Sequence, residues 1–336
     1  MNVPALRRAP SRSRGDMVDS QVDALLHGDK RAAAKLISLI EDDEPAAADA
    51  IALIHPHAGK AHVVGFTGAP GVGKSSLINR LLRWYRAAGR TVGVVAVDPT
   101  SPYTGGAVLG DRIRMADLGT DPGVFIRSMA TRGHAGGLAL ATFDAVRVLD
   151  AMGMDLVFVE TVGAGQSEVE IATRAHTTVV VEMPLTGDVV QSMKAGLLEV
   201  GDVYVVNKTD LGNWETLVAN LKFQITERDG WRPPVVKTSA AEDRGIPDLA
   251  AALDAHARHL RSSGGWQRRN EDRARREILE NAQRLLTRDV ESIGALGKTF
   301  DGLVAAVAKG TTDPVSAARR LVQHGQTRGR RKTRRR

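Results

Sequence analysis

From residue 62 onward the chain is punctuated by short apolar runs: HVVGFT, TVGVVAV, DLVFVE, TTVVVEM, DVYVVN and PVVKTS. Each is nearly continuously apolar rather than alternating, as expected of a strand covered on both faces. Segments of helical composition lie between most of them. The pattern therefore predicts an α/β fold, a mostly parallel sheet with helices on both faces. Ligands on such sheets bind at the carboxyl ends of the strands. Ahead of the strands, Leu25, Leu26, Leu36, Ile37 and Ile40 recur at helical spacing over residues 18–54, and EDDEP marks a break. After about residue 262 the strands stop. SSGGW reads as a linker, and the charged stretch that includes NEDRARREILENAQRLL predicts helices to about residue 324. The expected organisation is a disordered basic N-terminus (1–17), a helical segment (18–60), the α/β domain (61–261), a helical arm (262–325) and a disordered basic tail (326–336).

Charge changes this picture less than its total implies. The chain of 336 residues has a net charge of +7. Residues 328–336 (RGRRKTRRR) hold seven basic residues, and Arg7, Arg8, Arg12 and Arg14 add four more. Without these eleven, 35 basic residues face 39 acidic ones, so the body is slightly acidic. A basic tail can meet nucleic acid or anionic lipid, or be simply solvated. With aromatics at 4%, few stacking platforms for single-stranded nucleic acid exist, and no nucleic-acid role is expected. The absence of cysteine excludes disulfides and thiolate chemistry. No apolar run reaches the roughly 18 residues of a membrane span, so no membrane association is expected. The arginine-rich start is similar to an organellar transit peptide, but Pro4 and Pro10 interrupt any amphipathic helix. A cytoplasmic setting is the expectation.

Five strand ends carry chemistry. Gly68-Ala69-Pro70-Gly71-Val72-Gly73-Lys74-Ser75 fits G-x-x-x-x-G-K-[ST], follows the first strand and opens a helix that continues through Ser76. Glycines let backbone amides curl around phosphates, and the helix N-terminus adds its dipole. Lys74 is expected to reach the β- and γ-phosphates and Ser75 to place its hydroxyl on magnesium. Asn207-Lys208-Thr-Asp210 ends the strand DVYVVN and matches the N-K-x-D that reads guanine. The Asp210 carboxylate accepts from guanine's N–H groups, Lys208 packs across the base and Asn207 holds the loop. Thr238-Ser239-Ala240, with Ala241 beyond it, matches a second guanine-contacting loop. Glu160-Thr-Val-Gly163 stands where D-x-x-G is usual, with an acid near magnesium and a glycine amide at the γ-phosphate. Asp98 closes TVGVVAV, and Asp111 follows a glycine-rich stretch. Spacing alone leaves a metal role or a helix cap open for Asp111.

Together, GAPGVGKSSLIN, VAVDPTSPYTGGAVLGDRIRM, FIRSMATRGHAGGLA, VFVETVGAGQSE, PLTGDVVQSMKAG and VVNKTDL resemble the MeaB/ArgK family of GTPases. That family belongs to the class shared with signal-recognition GTPases and MinD. The likeness spans roughly residues 20–325. It implies GTP and GDP as substrate and product, and Mg2+ held by Ser75, Asp98, Asp111 and Glu160. It further implies a homodimer through the C-terminal helical arm, and a third switch over 183–194 with Asp188, Gln191 and Lys194 facing a partner. Family members act as GTP-driven chaperones of adenosylcobalamin-dependent acyl-CoA mutases, chiefly methylmalonyl-CoA mutase, gating cofactor loading and protecting the mutase. An older label ties the family to an ATPase or kinase serving arginine and ornithine transport. N-K-T-D argues against ATP, and a nucleic-acid-associated GTPase is the further alternative. Gln166 lies near the switch with no role fixed by the motifs.

Overall fold

The computed structural model describes residues 14–42, 44–98, 118–130, 137–161, 174–184, 199–294 and 298–333. Seven strands form one sheet: β1 (His62–Thr67), β2 (Val92–Asp98), β3 (Val124–Ala130), β4 (Leu156–Glu160), β5 (Thr177–Glu182), β6 (Val203–Val206) and β7 (Val235–Lys237). Their order is β3-β2-β4-β1-β5-β6-β7, and every neighbouring pair is parallel. The helices among the described residues are α1 (Arg14–Leu26), α2 (Lys30–Glu41), α3 (Ala46–Ile54), α4 (Lys74–Ala87), α5 (Gly137–Ala151), α6 (Glu215–Gln224), α7 (Ile246–Ser262), α8 (Gly265–Gly294), α9 (Lys298–Ala308) and α10 (Pro314–Thr333).

Alternation along each strand assigns its side chains to two covered faces. Val64, Phe66, Val94, Phe158, Val179 and Val205 pack with Leu77, Leu81 and Tyr85 of α4 and Leu249 and Leu253 of α7. On the other face, Val63, Val95, Val157 and Val159 pack with Leu25, Leu36, Ile37 and Ile54 of α1–α3 and Leu149 of α5. Val180, Tyr204 and Val206 complete that face under Leu217 and Leu221 of α6. A fully buried side chain of this kind is worth about 1.5–3 kcal/mol. These two layers therefore dominate the stability, and the N-terminal helices are part of the core rather than an appendage. Six strands match the apolar runs in the sequence. The seventh, β3, has Arg127 and Ser128 in its middle, which a sheet edge tolerates. Arg127 reaches Ser38 Oγ at 3.0 Å and pairs with Glu41, both of α2.

At the amino ends of the strands lies a buried polar cluster. His62 Nε2 is 2.6 Å from Thr177 Oγ1, which is 2.9 Å from His256 Nδ1. Arg269, near the start of α8, donates both terminal nitrogens to the Asp202 carboxylate at 2.7 and 2.8 Å. Trp266 stacks on His176 with ring centroids 3.8 Å apart. These contacts explain a boundary. The chain divides into units of residues 1–273 and 274–336. The division expected at SSGGW instead falls along α8, whose first turns stack Trp266 on His176 and pair Arg269 with Asp202 within the first unit. In the second unit, Ile278, Leu279, Leu285 and Leu286 are exposed on α8. α10 continues to Thr333, into the tail expected to be disordered. Arginine and lysine are good helix formers, so composition alone does not end that helix.

Candidate functional site

The loop between β1 and α4 is shaped by glycines that no other residue replaces. Gly68 has φ 139°, and a β-carbon there would stand 2.1 Å from the Val181 carbonyl oxygen. Gly73 has φ 97°, and a β-carbon would meet Asn207 Nδ2 at 2.4 Å. The loop therefore lies flat against the ends of β5 and β6. α4 opens at Lys74, so its first backbone N–H groups have no intrahelical partner and face the loop. Lys74 is buried, and its Nζ donates to the carbonyls of Gly68 at 2.6 Å and Ala69 at 3.1 Å. This places an ammonium within the loop, beside the first backbone N–H groups of α4, an arrangement suited to a polyphosphate.

Ser75 Oγ donates to Glu160 Oε1 at 2.6 Å, and both residues are buried. One hydroxyl and one carboxylate at a helix N-terminus make a hard oxygen donor set that fits magnesium. Asp98 ends β2 beside β4, two residues beyond Ala96, which pairs with Glu160. Asp111, Gly163, Gln166, Asp188, Gln191 and Lys194 lie outside the described residues.

Asn207, 1% exposed, joins three segments. Its Nδ2 donates to the Val72 carbonyl at 2.8 Å. Its Oδ1 accepts from Thr238 Oγ1 at 3.0 Å and from the Ala240 N–H at 3.2 Å. Lys208 follows in the left-handed region at φ 59°, and Asp210 accepts from Ser239 Oγ at 2.5 Å. That hydrogen bond holds the exposed Asp210 carboxyl below its ordinary pKa. The structure thus brings the residues of both strand-end motifs to one cleft of about 690 Å3, lined by Gly73, Ser76, Lys208, Asp210, Ala240 and Ala241 among others.

Two neighbours were not singled out by any motif. Glu182 ends β5 beside the loop; burial pushes its carboxyl up to about 7, against the lowering effect of the Lys74 charge. Arg80, on the cleft wall formed by α4, donates from Nε to the Ala240 carbonyl at 2.9 Å. For Glu182 the only sequence signal was its strand-end position. For Arg80 it was the helical spacing of four residues from Ser76 and three from Leu77.

An all-parallel sheet, with a glycine-rich loop after β1 feeding a helix and an Asn-Lys-Thr-Asp at the end of β6, defines a phosphate-loop GTPase. The family model described as methylmalonyl Co-A mutase-associated GTPase MeaB matches residues 33–294, and this chain belongs to that family. A putative GTPase of Pyrococcus abyssi is 46% identical over 308 residues, covering 90% of this chain and 95% of that protein. GTPase ArgK of Escherichia coli K12 is 32% identical over 315 residues, covering 90% and 95%. Among solved structures, the LAO/AO transport system kinase superposes with a TM-score of 0.67 at 26% identity, covering 94% of this chain and all of that one. The chain is accordingly a GTPase that binds guanine nucleotide. Among the described residues, no helix is long and apolar enough to cross a membrane.

Proposed function

We propose that this GTPase uses magnesium and acts as a chaperone of an adenosylcobalamin-dependent acyl-CoA mutase, methylmalonyl-CoA mutase first among them, in the cytoplasm. The observation that carries the nucleotide part is the Asn207 side chain. It ties Val72 of the phosphate loop to Thr238 and Ala240 of the base-side loop. Phosphate recognition and base recognition are thereby one rigid unit. In this reading, the backbone of residues 68–76 cradles the phosphates and Lys74 neutralises their β/γ charge. Asp210 accepts from guanine's N–H groups, Lys208 lies across the base, and Ala240 and Ala241 close the other edge. Ser75 and Glu160, with Asp98 and Asp111, would hold the metal, and Gly163 would sense the γ-phosphate. When bound, magnesium supplies charge neutralisation of the phosphate oxygens.

The mutase part is supported by the family's description. A homodimer is supported by α8, where Ile278 and Leu279 repeat seven residues on as Leu285 and Leu286, all exposed. A seven-residue apolar repeat is the pattern that pairs helices. GTP hydrolysis measured with and without purified methylmalonyl-CoA mutase tests the partner. Stimulation is expected in the wild type and is blunted in Lys194→Ala. Absence of stimulation in the wild type contradicts the mutase reading.

A further inference from the structure

The base-side loop, residues 239–244, is closed at its foot by reciprocal hydrogen bonds between Ser239 and Arg244, each 3.0 Å. Above that foot residues 241–243 are exposed, and Asp243 sits in the left-handed region at φ 58°. Ala240 and Ala241, the residues that line the cleft, have no side chain long enough to anchor the loop themselves. Ala240 is nevertheless held from two sides. Its N–H donates to Asn207 Oδ1 at 3.2 Å, and its carbonyl accepts from Arg80 Nε at 2.9 Å. Asn207 comes from the end of β6 and Arg80 from α4, the helix that begins at Lys74. Arg80 also lies 3.7 Å from the Asp243 carboxylate.

These two contacts of Arg80 differ in worth. The ion pair joins side chains 34% and 62% exposed, at a separation beyond hydrogen-bonding range, and such pairs contribute little. The bond to Ala240 has a charged donor, good length and a buried acceptor residue, and bonds of that type are the stronger ones.

We propose that Arg80 is a positioning residue for purine selection. By fixing the Ala240 carbonyl it sets where the backbone of Ala240 and Ala241 stands in the cleft, and so how strongly guanine is preferred over other bases. A site discriminates by leaving fixed polar groups unpaired with the wrong ligand, and a loop free to shift gives up that discrimination. The inference rests on the guanine reading of this cleft.

The test uses the full-length protein and isothermal titration with GDP, ADP and inorganic tripolyphosphate. Arg80→Ala is expected to weaken GDP about tenfold, while ADP and tripolyphosphate stay within about twofold, so the preference for GDP over ADP shrinks about tenfold. In turnover, KM for GTP rises while kcat at saturation stays within about twofold. Asp243→Ala removes the ion pair but not the carbonyl contact, and all three affinities are expected to stay within about twofold. Arg80→Met keeps the apolar stem and replaces the alanine variant if circular dichroism shows that variant unfolded. An unchanged GDP-to-ADP ratio in a folded Arg80 variant overturns the proposal, as does an equal loss for GDP and tripolyphosphate. A wild type that binds ADP as tightly as GDP contradicts the guanine reading itself, a result separate from either.

Discussion

Replacing Asn207 with alanine removes one buried amide and three hydrogen bonds at once: to the Val72 carbonyl, from Thr238 Oγ1 and from the Ala240 N–H. Each buried group left without a partner costs about 1–3 kcal/mol. Ala240 borders the cleft, so water can reach part of what is lost. This places the expected loss of stability near the lower end, at about 2–3 kcal/mol in all. The larger effect is on nucleotide binding, because the phosphate loop and the base-side loop are no longer joined. Urea unfolding with and without GDP separates the two effects. At a GDP concentration 100 times the wild-type Kd, binding adds about 2.7 kcal/mol to the wild type. If the variant binds about 100-fold more weakly, the same GDP adds only about 0.4 kcal/mol. A folded Asn207→Ala protein that still gains the full wild-type increment refutes the claim that this side chain unites the two halves of the site.

Two further outcomes follow from the buried cluster at the amino ends of the strands. Burial holds His176 at about 3, His256 at about 4 and His62 well below the ordinary histidine value. The unfolded chain takes up protons near pH 6.5 that the folded chain refuses, so this stabilisation is complete above pH 6.5 and is lost as pH falls toward those values. Between pH 7.5 and 5, His176 and His256 should each withdraw about 2 kcal/mol from the unfolding free energy, and His62 acts in the same direction; urea titration at both pH values reads it, and equal stability at the two contradicts it. Truncation after Arg273 should give a stable monomer that binds GDP. Truncation after residue 262 should lose about 3–5 kcal/mol more, because Asp202 is left buried without Arg269; equal melting of the two truncated proteins argues against that anchor.

The sheet was legible wherever apolar runs were continuous, because strands covered on both faces must be written that way. β3 escaped because Arg127 and Ser128 break its run, and the partner that makes Arg127 acceptable, Glu41, lies far away in sequence. The loop at 68–75 and the Asn207–Asp210 turn could be read locally, since their geometry is fixed by glycines and by a strand end. Glu182 and Arg80 could not. Their roles depend on which backbone stands opposite, and Arg80 is one of several arginines on its helix. The same applies to His62, His176, His256, Asp202 and Arg269, which are scattered along the chain and meet only through the parallel register. The first turns of α8 looked like the start of a charged arm, yet Trp266 and Arg269 bind them to the first unit.

If Asp210, held by Ser239, reads guanine in the cleft shared with the phosphate loop, base selection rests on its carboxylate. The direct measurement is the affinity of GDP, ADP and xanthosine diphosphate for the wild type and for Asp210→Asn. The carboxylate accepts from guanine's ring N–H and its exocyclic amino group, whereas an amide can donate to the oxygen that xanthine carries in place of that amino group. The wild type is expected to prefer GDP over both other nucleotides, and the variant to lose GDP affinity by about tenfold or more while gaining affinity for xanthosine diphosphate. Equal binding of GDP and ADP by the wild type, or an unchanged order of preference in the variant, would contradict it.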